Sequence, residues 1–172
     1  MQNLGRVIDS LSSLLGRAAE LVTLLLVASM IYEVAARYVF DAPTIWAFDI
    51  AYMSTGVLFV LGAAQALRED AHVRIDFLSS RMPRRLVGWI DGIAFLVLLC
   101  PLFGALAWVA IREAWSAFLT GEVETVSPWA PLMWPFYSLL ALGLAVLSLQ
   151  LAVQGVRALM GDIPPASHRE EA

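Results

Sequence analysis

Four long apolar runs, separated by segments that carry most of the charge, constrain this chain more than any other feature. Each run can cross the hydrocarbon core of a bilayer, about 30 Å thick, as a helix that rises about 1.5 Å per residue. The 172-residue chain is 60% hydrophobic, whereas soluble domains are about 45–50% apolar. The pattern therefore predicts an all-α integral membrane protein with no room for a soluble domain.

The apolar runs predict spans over residues 18–40, 45–67, 86–111 and 133–156, which form one membrane domain over 18–158. Residues 1–17 alternate apolar and polar side chains at helical spacing, which predicts a short amphipathic interfacial helix before the first span. Residues 68–85 predict a second surface helix between the second and third spans. Residues 159–172 contain Pro-Pro and no apolar face, which is typical of a disordered tail.

The arginines predict how the chain is oriented in the membrane. All 11 basic residues are arginine, and nine of them fall in the N-terminus, the loop at 68–85 or the C-terminus. Only Arg37 and Arg112 fall on the other side. Since basic residues are enriched in cytoplasmic segments, both termini are predicted to be cytoplasmic.

Prolines and glycines predict how the spans end and pack. Pro43 should stop the first span, and Thr44 is a favourable N-cap for the second. Such a short turn makes the first two spans antiparallel neighbours. Pro101 lies inside the third span and should kink it. Gly92 and Gly104 are expected to let a neighbouring helix approach closely.

A few charged and aromatic side chains lie near the ends of the spans. Glu33 precedes Arg37 by four residues, so the two share a helix face. They are either a local pair that eases insertion or a polar contact for a neighbouring helix. Trp46 fits the aromatic belt at the membrane surface. Asp49 lies in the first turns of its helix, where the dipole favours an anion, and Asp91 is within reach of an arginine.

The sequence contains no group that indicates catalysis or a transport site of its own. Transporters usually have internal repeats and polar groups near the middle of the membrane. The two halves of this chain show no repeat, and no charged residue lies at the centre of a span. His72 and His168 lie outside the predicted spans, and Cys100 is the sole cysteine. We therefore predict no enzyme, cofactor, metal or nucleic-acid partner, and favour a subunit of an assembly.

Two alternatives remain open from the residues. One is an autonomous small transporter that acts as a homo-oligomer. The other is a membrane enzyme that acts on lipids, for which Asp70, His72 and Asp76 form the one candidate cluster.

The order and spacing of several short motifs in this chain resemble those of a known family. The chain resembles the small permease subunit of tripartite ATP-independent periplasmic (TRAP) transporters over roughly residues 14–161. The matching features are Arg37-Tyr38-Val39-Phe40, Trp46, Gly62-Ala63-Ala64, Arg68, His72-Val73-Arg74-Ile75-Asp76, Pro83, Ser127-Pro128 and Trp134-Pro135-Phe136-Tyr137. The family usually has an acidic pair after the tryptophan, whereas this chain has Phe48 and Asp49.

The resemblance implies a bacterial inner-membrane protein that works with a large permease subunit, a periplasmic substrate-binding protein and membrane lipids. The large subunit would be a sodium-driven elevator-type carrier, and this chain would pack on and enlarge its static scaffold. The transported compound would be an organic anion such as a dicarboxylate or a sugar acid. The candidates for structural or partner contacts are Glu33, Arg37, Trp46, Asp49, Gly62, Arg68, His72, Asp76 and Asp91.

Overall fold

A computed structural model describes residues 2–69 and 84–160 of the chain. These residues contain four helical stretches long and apolar enough to cross a membrane, which confirms the all-α, four-span class. The elements are α1 (Gln2–Val39), α2 (Ala47–Arg68), α3 (Arg84–Ile93), a π-helical segment (Ala94–Leu99), α4 (Cys100–Thr120) and α5 (Trp134–Leu159). The elements from α3 to α4 together form the third span. The predicted surface helix before it and the predicted tail lie outside the described residues.

Helix α1 is one continuous helix of 38 residues, so the segment predicted as an interfacial lead-in, residues 1–17, runs into the first span without a break. Its polar residues Asp9 and Ser12 pack towards α5, whereas Val7 and Leu14 are exposed. The prediction placed residues 1–17 on the membrane surface, with their apolar side against the lipid. In lipid, however, polar groups gain more from pairing between helices than apolar groups gain from burial, so the helix continues and turns its polar side inwards.

The connection between α1 and α2 also differs from the prediction. Asp41 has φ 47° and the Ala42 N–H donates to the Ala36 carbonyl at 2.9 Å. Helix α2 begins at Ala47, three residues after Thr44, so Thr44 is not its N-cap. Its hydroxyl instead donates to the Glu33 carboxylate. A hydrogen bond to a charged acceptor is stronger than the neutral hydrogen bond that a hydroxyl accepts as an N-cap.

The third spanning helix continues past the predicted end of its span at residue 111 and contains a π-helical segment. It runs to Thr120, where Gly121 adopts φ 65° and ends the helix. Arg112 and Glu113 do not break a helix, whereas a left-handed glycine does. The π-helical segment ends two residues before Pro101. Proline cannot donate to the preceding turn and crowds its carbonyl, and a wider turn relieves this conflict.

Helix α5 is the centre of the packing. It contacts α1, α2 and each part of the third span, whereas α1 packs mainly on α2. One buried cluster joins α2 to α5 through Ala64, Leu67, Leu147 and Leu151. Within the described residues the third span packs extensively on α5 alone. In its most apolar 18-residue stretch only 6% is buried, whereas 33% of the corresponding stretch of α5 is buried. Most of the surface of the third span is therefore left for lipid or another protein.

Candidate interface and interhelical polar contacts

The turn between α1 and α2 is held by the Glu33 carboxylate. Its Oε1 accepts from the Arg37 Nε at 2.9 Å and Nη2 at 2.5 Å. Its Oε2 accepts from the Thr44 backbone N–H at 3.0 Å and from the Thr44 hydroxyl. Glu33 is buried while Arg37 is exposed. Nearby, Trp46 stacks on Tyr32 with ring centroids 5.7 Å apart, so the turn folds back on α1.

Asp49 anchors the connection between α4 and α5, which covers residues 121–133. Its side chain is 1% exposed and accepts a hydrogen bond from the Ser127 hydroxyl. The Ser127 Oγ in turn accepts the backbone N–H of Trp129 at 3.1 Å. The carboxylate that remains from the family's usual acidic pair thus contacts a loop 78 residues further along the chain.

A second contact fixes the same loop to α2. The Tyr52 hydroxyl donates to the Glu124 Oε2 at 2.8 Å, and the Glu124 Oε1 accepts the backbone N–H groups of Thr125 and Val126 at 3.0 and 3.1 Å. The hydrogen bond from Tyr52 lowers the pKa of Glu124, and the two backbone N–H groups act in the same direction. The loop also closes on itself through a bridge between Val123 and Leu132.

At the opposite end of the molecule, a buried polar network joins α1 to α5. Ser12 and Gln150 are fully buried, and the Ser12 hydroxyl donates to the Gln150 Oε1 at 2.9 Å. The Gln150 Nε2 donates to Asp9 at 3.1 Å, and the Arg157 Nη2 donates to the same carboxylate at 2.6 Å. Sequence reasoning missed this network. The glutamine inside an apolar span was its one visible signal.

The close approach of the helices depends on other glycines than Gly62. A Cβ added at Gly62 would lie 3.9 Å from the Ala19 Cβ, which is ordinary contact. At Gly143 it would lie 2.6 Å from the Val60 Cγ1, and at Gly155 3.2 Å from the Gly92 carbonyl oxygen. Gly92 therefore lies at a close helix crossing, as expected for it. Near Gly104, the Ser148 Oγ is 3.3 Å from such a Cβ.

The remaining candidates are not brought together with these clusters. Arg68 is exposed at the end of α2, and its Nη1 lies 3.5 Å from the Gln65 Oε1. Asp91 is half-buried in α3. His72 and Asp76 lie outside the described residues. In the described parts of the chain, no three His, Cys, Asp or Glu side chains form a group that could hold a metal ion.

The fold and contacts define a multi-pass membrane protein whose polar groups mainly join its own helices and loops. The family of tripartite ATP-independent periplasmic transporters, DctQ component, matches residues 8–161, and the chain belongs to this family. The family consists of transporter components rather than enzymes.

Two relatives illustrate the similarity. The sialic acid TRAP transporter small permease protein SiaQ of Vibrio cholerae is 23% identical over 79 residues, which are 44% of this chain and 46% of that protein. The sialic acid TRAP transporter permease protein SiaT of Haemophilus influenzae is 35% identical over 57 residues, which are 33% of this chain and 9% of that protein. The chain thus spans less than half the length of either relative. No solved structure matches the chain.

Proposed function

We propose that this chain packs on and enlarges the scaffold of a large permease subunit, with both termini in the cytoplasm. The complex would take up an organic anion, driven by a sodium gradient and dependent on a periplasmic substrate-binding protein. A dicarboxylate and a sugar acid are the candidate substrates, and the sialic acid named for both relatives is a sugar acid.

The observation that carries this proposal is the uncovered apolar surface of the third span. Its side chains Val97, Leu98 and Trp108 are 70%, 65% and 64% exposed, while the charged groups Glu33 and Asp9 are paired within the chain. A subunit of this kind offers broad contact area to lipid and to a larger protein. The similarity of a short segment of SiaT, a far longer permease protein, supports a close association with such a protein.

Within this proposal the candidate residues take two roles. Glu33, Arg37, Trp46 and Asp49 hold the turn and the 121–133 connection in place, as their contacts within the chain suggest. Gly62 faces Ala19 of α1 within the chain, and the partner-facing candidates are then Arg68, His72, Asp76 and Asp91.

Co-purification from native membranes tests the proposal. A tagged chain, extracted in a mild detergent, should retain a much larger polytopic protein in stoichiometric amount. Cells that lack the chain should lose uptake of labelled succinate or labelled sialic acid, and the plasmid-borne chain should restore it. If the purified chain alone, reconstituted in liposomes, carries out ion-driven uptake, it is instead an autonomous homo-oligomeric transporter.

Reporter fusions test the orientation. A periplasmic reporter should be active after Gly121 and inactive after Met160, while a cytoplasmic reporter should give the reverse pattern. Periplasmic activity after Met160 would contradict cytoplasmic termini.

A further inference from the structure

The contact between α5 and the third span follows a seven-residue repeat in α5. The small residues Ala141, Ser148 and Gly155 are spaced by seven, and Ala141 and Gly155 are buried. Seven residues of an α-helix fall only about 20° short of two full turns, so these three residues lie on nearly one face. In the membrane, small residues on such a face let a neighbouring helix approach closely.

The third span meets this face with small residues of its own. A Cβ added at Gly92 would lie 3.0 Å from the Gly155 carbonyl oxygen. The Ser148 hydroxyl donates to the Cys100 carbonyl at 3.0 Å, although Cys100 lies eight residues after Gly92. Two points that are seven residues apart on α5 are therefore matched by two points that are eight residues apart on the third span.

The remainder of the third span keeps the repeat of seven. Ala107 and Ala114 follow Cys100 at intervals of seven. Ala107 is buried, and Ala114 lines the same surface groove as Ala141. The extra residue therefore lies between Gly92 and Cys100.

An extra residue at this place would misalign a regular α-helix. At 3.6 residues per turn, eight residues advance about 80° beyond two full turns. If Cys100 stayed on α5, Ile93 would take the position of Gly92, because Ile93 lies seven residues before Cys100. That position has no room for isoleucine, since even a Cβ at Gly92 would lie 2.6 Å from the Leu159 side chain.

The π-helical segment, Ala94–Leu99, occupies this interval. Its hydrogen bonds join residues i and i+5 instead of i and i+4, so a π turn contains about one residue more than an α turn. We propose that this segment absorbs the extra residue and thereby keeps both halves of the third span in one seven-residue register against α5. Pro101 favours the wider turn, but the register requires it.

The register also sets the outer surface of the third span. Ile93 and Val97 are 50% and 70% exposed, because Gly92 and not Ile93 takes the close crossing with α5. The side chains that the third span turns towards lipid or another protein therefore depend on the π-helical segment.

One-residue deletions test the proposal, and two exposed valines offer a matched pair. Val97 lies inside the π-helical segment, whereas Val109 lies in the regular helix between Ala107 and Ala114. The two side chains are 70% and 54% exposed. Each deletion is made in a Pro101→Ala parent, because a shortened α-helix would bring the proline ring against the preceding turn.

Loss of Val97 should leave a regular α-helix with Gly92 seven residues before Cys100. We expect its melting temperature in detergent micelles to stay within about 3 °C of the Pro101→Ala parent. Loss of Val109 removes as much length but breaks the repeat of seven, and should lower the melting temperature by at least about 8 °C. A Val97 deletion that loses as much stability as the Val109 deletion, or does not fold, would overturn the proposal.

Two local probes report on the two halves separately. Ser148→Cys places a thiol beside Cys100, since the Ser148 Oγ lies 3.7 Å from the Cys100 Sγ. Oxidation should therefore link α4 to α5 in the parent and in the Val97 deletion alike. Gly92→Leu should lower the melting temperature of both proteins by similar amounts, because Gly92 faces α5 in each. If the deletion cannot form the disulfide, or if Gly92→Leu is harmless in it, one half has rotated and the proposal is wrong.

The full-length Pro101→Ala parent separates the register from the proline. It should form the same disulfide and remain sensitive to Gly92→Leu, because it still contains the residue that the π turn absorbs. If Gly92→Leu is harmless in this parent but not in the wild type, the proline sets the π turn and the register does not. These measurements use the chain without a partner, so the proposed function stands or falls separately.

Discussion

Gln150 is the residue whose replacement should disturb the interior most at a single point. It is fully buried and joins Ser12 to Asp9. Gln150→Leu should lower the free energy of unfolding by about 1–2 kcal/mol, because a buried hydroxyl and a carboxylate each lose a partner. Gln154→Leu is the matched control, since the Gln154 Nε2 makes only a 3.4 Å contact with the Leu67 carbonyl, and it should have a smaller effect.

A double-mutant cycle with Ser12→Ala makes this test specific. The double variant should lose less than the sum of the two single variants, because Ser12→Ala removes the hydroxyl that Gln150→Leu leaves unpaired. Equilibrium unfolding in detergent micelles measures all four proteins. Strict additivity would mean that the 2.9 Å contact between these side chains contributes nothing.

Glu124 gives the 121–133 connection a pH dependence with a definite sign. The hydrogen bond from Tyr52 lowers the pKa of Glu124 from its ordinary value of 4.5. The charged form is therefore favoured in the folded protein. Its contribution to stability is fully present above about pH 4.5 and is lost as the pH falls through the lower folded value.

The melting temperature of wild type and Glu124→Gln across pH 3–7 measures this effect. We expect a gap between the two proteins that is constant at neutral pH and narrows in acid as the wild-type carboxylate is protonated. Tyr52→Phe should lower the melting temperature at neutral pH. In a Tyr52→Phe background, the melting-temperature difference caused by Glu124→Gln should depend less on pH. A gap that does not change down to pH 3 would show that Glu124 has no such role.

At the residue scale, sequence distance decided which contacts could be predicted. The Glu33–Arg37 pair follows from a spacing of four on one helix and is present at 2.5 Å. The contact between Asp9 and Arg157 joins residues 148 positions apart, and nothing in either local sequence specifies the other. Thr44 was misassigned because its favourable alternative, the Glu33 carboxylate, lies 11 residues away.

At the scale of the helices, two glycine-to-alanine substitutions with opposite expected effects test the packing of α5 on α2 and of α2 on α1. Gly143→Ala should destabilise the protein by about 1–3 kcal/mol, because its Cβ would lie 2.6 Å from the Val60 side chain and 3.2 Å from the Val60 backbone. Gly62→Ala should be neutral or stabilising by up to about 1 kcal/mol, since its Cβ has room and alanine favours the helix. Thermal unfolding measures the stability of both variants. A Gly62→Ala variant less stable than the Gly143→Ala variant would contradict this packing.

At the element scale, apolar length gave the number of spans, while helix ends needed information from elsewhere. The fourth predicted span, 133–156, agrees with α5 (Trp134–Leu159) to within three residues, because proline and tryptophan mark its start. Helix α1 was divided at residue 17 because its polar side was assigned to water. That side meets α5 instead, a contact that periodicity alone does not reveal.

At the scale of the whole molecule, the proposed scaffold role requires this chain to stay rigid during transport. A static scaffold element should tolerate a covalent lock between its own helices. Positions 19 and 62 suit a disulfide between α1 and α2, because the Ala19 Cβ and a Cβ built at Gly62 lie 3.9 Å apart, within the usual range of about 3.5–4.5 Å. We expect the Ala19→Cys/Gly62→Cys variant, with Cys100→Ala to remove the native thiol, to form this bond on oxidation.

Uptake of the labelled substrate should then be the same before oxidation, after oxidation and after reduction, to within about twofold. The single-cysteine variants, which cannot form the lock, control for effects of the oxidant on other subunits. A carrier element that shifts its helices in each cycle would behave differently, because a packed interface between two helices changes by discrete rearrangement. Uptake that falls at least about tenfold on oxidation and recovers on reduction would therefore place α1 and α2 among the moving parts and contradict the scaffold role.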